Sequence, residues 1–497
     1  MAQIRLQPRA AGAEISPFIY GHFAEHLGAC IYDGIWVGEE SSIPNTGGLR
    51  DDVVAALRRS RPAVLRWPGG CFADDYHWAD GIGPRAERPR RVNIHWGEVV
   101  ETNAFGTHEF VRLCRAIGAE PYLCGNVGTG HPRELRDWVE YCNRPSGTTL
   151  SDARAADGSA EPLRVRFWGV GNENWGCGGN FTPEDYCTEY RRFATFVRPF
   201  GGVQPFRIAC GPCGNDAEWT RRFFEKLFGD YWRGPGIEGF AAHYYCGSAG
   251  GDVEFTTDQW YEQLEKAAYM ETMVAEQRTV MDEFDPERKI ALIVDEWGAW
   301  HHVPPEKGRP LLWQQNTVRD ALVAAVTLDV FNRHADAVFM SNIAQTVNVL
   351  QALVLTDGPR MAVTPTCHVY TMYADHQSGA SVPMKVDAGQ INFEAAGEPR
   401  TLFGLAGSAS LKGELLTVTL TNTHASEPLE VEIVLEGGAR VRELRGEVLT
   451  HEDVHAHNTF ESPDEVQPRA MRMSKAAGRT PTVTLAPASV TKLSLRL

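Results

Sequence analysis

The chain has 497 residues, about twice the roughly 250 residues of a single α/β barrel, so its length predicts two domains. Its formal net charge is −16, from 64 acidic and 48 basic side chains. This excess of negative charge argues against nucleic acid and against an anionic membrane surface as partners.

Short β-rich runs alternate with longer helical patterns from about residue 17 to residue 345, which is typical of repeated βα units. In the helical segments apolar side chains share one face, most clearly over 110–117 and 320–331. Segment 144–163 has no periodicity and is predicted to be a surface loop. The pattern predicts a closed (β/α)8 TIM barrel with eight strands, at 18–23, 63–67, 121–125, 165–171, 207–211, 239–245, 290–296 and 337–342.

Strict alternation of apolar and polar residues replaces the helical pattern after about residue 375, as in 416–420 and 429–433. Residues 2–7 alternate in the same way. We therefore predict a catalytic barrel over 16–372 and a jelly-roll-like β-sandwich over 373–497, which the N-terminal residues 1–15 join.

Two predicted barrel strands end in a carboxylate beside tryptophans. The fourth delivers Glu173, within FWGVGNENWG, and the seventh delivers Glu296, within IALIVDEWGAW. The carboxyl ends of barrel strands form the active-site face, so both side chains are expected there. Paired carboxylates indicate glycoside hydrolysis, retaining if they lie about 5–5.5 Å apart and inverting at about 6.5–9.5 Å. Asp295 alternates to the opposite side of its strand, which favours a structural role.

Seven segments together resemble the family 51 α-L-arabinofuranosidases over nearly the whole chain. They are GHFAEHLG (21–28), LRWPGG (65–70), NIHWG (93–97), NAFGTHE (103–109), GNENWG (171–176), VDEWG (294–298) and AQTVN (344–348). The resemblance implies that Glu173 is the general acid/base and Glu296 the nucleophile. Double displacement would then release terminal non-reducing α-L-arabinofuranosyl residues from arabinose-containing oligosaccharides with retention.

The resemblance also implies which residues surround the sugar. Asn172 should bind the 2-hydroxyl, Tyr245 should hold the nucleophile, and Glu25 and Gln345 should bind other hydroxyls. Several relatives have Asn where this chain has Cys71, a weaker hydrogen-bonding partner for the sugar. The remaining expectations are a subsite wall from Trp96, apolar faces or plain packing from Trp175, Trp297 and Trp300, and support from His243 and from Arg66, which more plausibly orients a carboxylate.

The chemistry requires no metal and no cofactor, and the pair Cys210 and Cys213 has no second cysteine pair at zinc spacing. Eleven scattered cysteines favour reduced thiols over a disulfide framework. The first twenty residues lack the apolar run of an export signal, so we expect a cytoplasmic protein without a membrane partner. Relatives form homo-oligomers, commonly hexamers, which the resemblance implies here too.

Two alternatives stay open at this point. Another retaining barrel glycosidase, an endoglucanase or a β-xylosidase, would keep both carboxylates and change the sugar pocket. A non-catalytic carbohydrate-binding or scaffold protein would keep the barrel alone, which the two intact glutamates argue against.

Overall fold

The computed structural model describes residues 2–229, 236–303, 311–471 and 480–497. Eight parallel strands close into a barrel in which β1 pairs with both β8 and β2. Together with the C-terminal domain of strands, this barrel confirms the predicted fold class. The barrel strands are β1 (Gly21–Phe23), β2 (Val64–Trp67), β3 (Glu120–Gly125), β4 (Phe167–Val170), β5 (Phe206–Cys213), β6 (Gly239–Tyr245), β7 (Ala291–Gly298) and β8 (Val338–Ala344).

The first predicted strand is too long at its start. Residues Pro17–Tyr20 form a short 3-10 helix, and only Gly21–Phe23 are extended. Pro17 supplies the fixed φ that suits the first helical position, and the Ser16 side chain accepts a hydrogen bond from the amide of Phe18. Residues 18–20 are Phe, Ile and Tyr, which all favour strands, so the sequence hid this turn.

The described chain contains ten α-helices, and none of them is long and apolar enough to cross a membrane. They span Asp51–Ser60, Thr107–Ile117, Pro132–Asn143, Thr149–Ala156, Pro183–Ala194, Ala217–Gly229, Thr257–Ala268, Met270–Phe284, Val318–Arg333 and Pro365–Tyr373.

The prediction of a loop over 144–163 is wrong, because Thr149–Ala156 is helical. Thr148 caps this helix by accepting from the amide of Ser151 at 3.3 Å. Arg154 is fully buried and donates to the carbonyls of Tyr141 and Arg144. A buried arginine thus anchors the helix instead of an apolar face, so the sequence shows no hydrophobic period.

Two sheets form the second domain around a core that includes Ile4, Val418, Ile433 and Leu493. One sheet orders Met384–Asp387, Ala2–Leu6, Leu429–Leu435 and Thr482–Leu485. The other orders Ala380–Ser381, Leu405–Lys412, Leu415–Asn422, Ser489–Arg496, Glu443–Leu449 and Arg469–Ala470. Four antiparallel pairs lie outside these sheets: Asn45–Thr46 with Leu49–Arg50, Arg91–Val92 with Val100–Glu101, Val354–Asp357 with Arg360–Val363, and Gln390–Ala395 with Glu398–Phe403.

The helix Val318–Arg333 lies between the barrel and the sandwich and is buried along its length up to Asn332. Asp329 accepts hydrogen bonds from the hydroxyls of Ser408 and Thr419, each at 2.7 Å. Asn332 donates to Ser408 and accepts from Tyr20, which belongs to the barrel. One helix therefore packs against both domains.

Candidate active site

Glu173 follows β4 in a tight turn at the mouth of the barrel. Its φ of +42° lies in the left-handed region, which is uncommon for residues other than glycine. Its carbonyl accepts from the amides of Gly176 at 2.8 Å and Gly178 at 3.1 Å, so the turn itself holds this conformation. The chain reverses here and returns Cys177 to the side of Glu173.

Glu296 lies near the end of β7 and is buried. Arg66 donates to its Oε1 at 2.7 Å, and the hydroxyl of Tyr245 donates to its Oε2 at 2.7 Å. Burial opposes the charged form of this carboxyl, but His243, Arg66 and Tyr245 outweigh it and hold its pKa below the ordinary value. Glu296 is therefore ionised at neutral pH.

His243, on β6, joins the two carboxylates. Its Nδ1 lies 2.9 Å from Oε1 of Glu173 and 3.6 Å from Oε2 of Glu296. This nitrogen and one oxygen of each carboxylate all lie within 4.8 Å of one another. Burial disfavours the imidazolium, yet the charges of Glu296 and Glu173 raise the pKa of His243 above its ordinary value.

Arg66 organises the floor of the site. It is fully buried, and besides Glu296 it contacts Asp295, at 3.2 Å from Nε to Oδ2, and the amide oxygen of Asn172. The prediction that Asp295 faces away from Glu296 is wrong, because both carboxylates contact this guanidinium. The pairing of β6 with β7 shifts register between Val294 and Glu296, and such a bulge places two successive side chains on one side.

In the side-chain amide of Asn172 the oxygen has a protein partner and the nitrogen has none among the described residues. Its Oδ1 accepts from Arg66, while its Nδ2 is buried and has no protein partner within the described ranges. Its backbone amide donates to Asp74 Oδ2 at 2.7 Å. A buried donor without a partner is costly, so Nδ2 is positioned for a group that the protein does not supply.

Asp74 is a residue that the sequence did not mark. Its other oxygen accepts from the amides of Val127 at 2.6 Å and Gly128 at 2.9 Å, so it ties the loop after β3 to the turn after β4. Burial raises its pKa to about 7, against the lowering effect of these hydrogen bonds. Its partners lie 53 and 98 residues away, so no local pattern reveals it.

Glu25, Trp96 and Gln345 meet in one polar cluster close to Glu296. Trp96 Nε1 donates to Glu25 at 2.9 Å, Gln345 Nε2 donates at 2.8 Å, and the amide of Phe72 donates at 3.1 Å. The Oε1 of Gln345 is buried without a protein partner in the part of the chain that is described. The structure thus brings together three residues that the sequence assigned to sugar binding.

The pKa of Glu25 is raised to about 7, first by burial and then by the charge of Glu296. Between pH 4.5 and 7 the folded protein therefore holds a proton that the unfolded chain releases, and its stability falls as the pH rises. We expect Glu25→Gln to remove this loss. From pH 5 to pH 8 the free energy of unfolding of the wild type should fall by up to about 3 kcal/mol relative to the variant.

Urea unfolding of the wild type and Glu25→Gln at both pH values measures this difference in free energy of unfolding. The pH dependence that comes from other groups, such as Asp74, is the same in both proteins and cancels. Glu40→Gln, at an exposed position, is the matched control and should track the wild type. A wild-type minus Glu25→Gln difference that is the same at pH 5 and pH 8 would contradict the prediction.

Cys71 and Cys177 form a disulfide with their Cα atoms 5.6 Å apart, so the expectation of reduced thiols is wrong for this pair. A disulfide sulfur carries no hydrogen, and the predicted thiol contact from Cys71 to the sugar is therefore not available. The sulfurs instead lie 4.0 Å and 3.6 Å from Oε2 of Glu173. The pairing spans 106 residues, and only the turn after Glu173 brings Cys177 back.

The tryptophans near the site differ in exposure. Trp300 is 39% exposed and packs edge-on against Tyr245, with 5.2 Å between ring centroids. Trp175 is half-buried. Trp297 is buried and donates to the Ser341 hydroxyl at 3.2 Å, so it is packing and offers no face to a ligand.

Comparison with known proteins identifies the family of this chain. The family model described as "Alpha-L-arabinofuranosidase 1 domain" matches residues 56–209, and "Alpha-L-arabinofuranosidase C-terminal domain" matches 295–489. An intracellular exo-α-L-arabinofuranosidase of Bacteroides ovatus is 41% identical over 98% of this chain and 94% of that protein. An intracellular exo-α-(1→5)-L-arabinofuranosidase of Streptomyces lividans is 30% identical over 94% of this chain and 71% of its own length.

Solved structures agree with these sequence matches. The GH51 arabinofuranosidase of Xanthomonas axonopodis pv. citri superposes with a TM-score of 0.95 at 39% identity, covering 100% of both chains. The α-L-arabinofuranosidase of Thermotoga maritima, solved as an arabinose complex, gives 0.87 at 30% identity, again over 100% of both chains. The chain therefore belongs to glycoside hydrolase family 51 and is an α-L-arabinofuranosidase.

Proposed function

We propose that the enzyme releases terminal α-L-arabinofuranosyl groups by double displacement with retention, using Glu296 as nucleophile and Glu173 as general acid/base. The observation that carries this proposal is the separation of the carboxylates, whose nearest oxygens lie within 4.8 Å. Retaining glycosidases hold their carboxyl groups about 5–5.5 Å apart, whereas inverting ones need about 6.5–9.5 Å for a water molecule.

The surroundings of Glu296 suit a nucleophile. Arg66 and Tyr245 each hold one of its oxygens, which keeps it ionised and fixes its orientation. Attack on the anomeric carbon forms an arabinosyl ester and expels the leaving-group oxygen. Formation of the ester neutralises the carboxylate of Glu296, which weakens the hydrogen bond that it accepts from Tyr245. The Tyr245 hydroxyl can then donate to another acceptor.

Glu173 supplies and recovers the proton. With its hydrogen on Nδ1, His243 donates to Oε1 of Glu173, so the acidic proton belongs on Oε2. Oε2 gives this proton to the glycosidic oxygen in the first step. It then takes a proton from the water that hydrolyses the ester in the second step.

Sugar recognition falls to the polar groups left without protein partners. Asn172 Nδ2 is placed to donate to the 2-hydroxyl, and Gln345 Oε1 to accept from another hydroxyl. Glu25 accepts hydrogen bonds from Trp96 and Gln345. A sugar hydroxyl can donate a further hydrogen bond to the Glu25 carboxylate. Trp96 forms the wall of this subsite.

Two measurements test the proposal together. We expect the wild type to hydrolyse 4-nitrophenyl α-L-arabinofuranoside much faster than the β-D-xylopyranoside, and proton NMR to detect the α-anomer of arabinose as the first product. Initial formation of the β-anomer would overturn retention. Faster hydrolysis of the xyloside would keep the mechanism and overturn the choice of sugar.

Three further parts of the interpretation stay predictions. A cytoplasmic location is supported by two relatives whose names include "intracellular". A homo-oligomer, in particular a hexamer, rests on the resemblance alone. The division of the chain at residues 372 and 373 is likewise a prediction.

A further inference from the structure

We propose that Cys71 and Cys177, once reduced, form with Glu173 a binding site for a thiophilic divalent cation such as Zn²⁺, and that occupation of this site stops catalysis. The inhibitory effect rests on the proposed role of Glu173 as acid/base. The binding of the ion does not depend on that role.

One oxygen of Glu173 already lies near both sulfurs at about the spacing of zinc ligands. One atom each of Cys71, Glu173 and Cys177 lie within 4.8 Å of one another, and Oε2 of Glu173 is 3.6 Å from the Cys177 sulfur and 4.0 Å from that of Cys71. Ligand atoms of a tetrahedral zinc site lie about 3.3–3.8 Å apart, given bonds of about 2.0–2.3 Å. The carboxylate oxygen therefore stands near a third ligand position.

After reduction, only the side chains of Cys71 and Cys177 need to move for both sulfurs to bind the same ion as Glu173. The Cα atoms of the pair are 5.6 Å apart, so rotation about the Cα–Cβ bonds can separate two thiols to the distance that a shared ion requires. Glu173 and both cysteines are only partly buried, which leaves the fourth position open to water and gives a reductant access.

The reaction balances with a dithiol reductant as the co-reactant. The reductant transfers two electrons to the disulfide, becomes a disulfide itself, and leaves two thiols on the protein. Zinc then displaces both thiol protons, which pass to solvent, and binds the two sulfurs and Oε2. In the oxidised protein the sulfurs are bonded to each other, so the two strongest ligands are absent.

Binding blocks the chemistry because it uses the oxygen that the mechanism needs. His243 occupies Oε1 of Glu173, so Oε2 is the oxygen that carries the acidic proton. An ion bonded to Oε2 removes the lone pair that would take up this proton. The oxidation state of one cysteine pair would thus decide whether the enzyme tolerates zinc.

The test compares the oxidised protein with protein reduced by a phosphine and desalted without oxygen. We expect the reduced form to bind about one zinc ion per chain by equilibrium dialysis, and Co²⁺ to give the thiolate charge-transfer and tetrahedral d–d absorption bands. Hydrolysis of 4-nitrophenyl α-L-arabinofuranoside should fall at least about tenfold with zinc, recover with EDTA, and change little in the oxidised form.

Variants locate the site. The double variant Cys71→Ser/Cys177→Ser should lose zinc uptake. Its rate of hydrolysis with zinc should equal its own rate without zinc, which is the only comparison made for this variant. Cys213→Ser, which removes an exposed thiol next to His243 on the neighbouring strand, should respond like the wild type. Glu173→Gln should keep the thiolate bands of Co²⁺ but bind the ion more weakly.

Three results would overturn the proposal. These are reduced protein that takes up no metal, a serine double variant that is still inhibited, and a reduced protein that binds the ion at both cysteines yet keeps its activity. Because dialysis and absorption do not use substrate, a failure of metal binding is distinguishable from a failure of the assigned role of Glu173.

Discussion

Replacing Glu296 by alanine is expected to lower kcat on 4-nitrophenyl α-L-arabinofuranoside by about 10⁴–10⁵-fold, because the change removes the carboxylate proposed to form the arabinosyl ester. Arg66 keeps Asp295 as a partner in this variant, so the buried guanidinium is not left without a counter-charge. The variant should therefore fold, and its thermal midpoint should lie close to that of the wild type.

Azide provides the decisive readout for this variant. A small anion fits the space that the carboxylate leaves, so azide should restore turnover of an activated substrate and give β-L-arabinofuranosyl azide, the inverted product. A variant that keeps more than about one-tenth of the wild-type rate without azide would contradict the assignment of the nucleophile.

Replacing Glu173 by alanine should affect substrates according to their leaving groups. For an arabinose disaccharide, whose leaving group needs a proton, we expect kcat/KM to fall by about 10²–10⁴-fold. For 2,4-dinitrophenyl α-L-arabinofuranoside, which needs no acid, formation of the ester should slow by less than about tenfold. Parallel steady-state kinetics on the two substrates measure the contrast.

The two alanine variants are matched controls for each other. With Glu173→Ala, azide attacks the ester on Glu296 and should give the α-L-arabinofuranosyl azide, the retained product. The same anion thus yields opposite anomers in the two variants. If both gave the same anomer, the roles of Glu173 and Glu296 would have to be reassigned.

The parts of this protein that sequence alone predicts are those that one strand determines. The run over 239–245 coincides with β6, and the carboxylates after the apolar runs of β4 and β7 lie at the barrel mouth as expected. In a parallel barrel a residue at the carboxyl end of a strand has its position fixed by that strand alone. Local pattern is therefore sufficient for Glu173 and Glu296.

The parts that sequence does not predict depend on contacts between distant segments. Asp74 is defined by amides from two other loops, and the disulfide joins residues from the loops after β2 and β4. The inward position of Asp295 follows from the register shift between β6 and β7, which no single strand encodes. Each of these features requires knowledge of which strands are neighbours.

The helix Val318–Arg333 has a consequence for how the protein unfolds. A chain cut at residue 372 would retain Asp329 and Asn332 but lose Ser408 and Thr419, leaving a buried carboxylate without its donors beside an uncovered apolar surface. We therefore expect the barrel half not to fold by itself. Barrel and sandwich differ in architecture, yet this helix contacts both, so we expect the two to melt in a single transition.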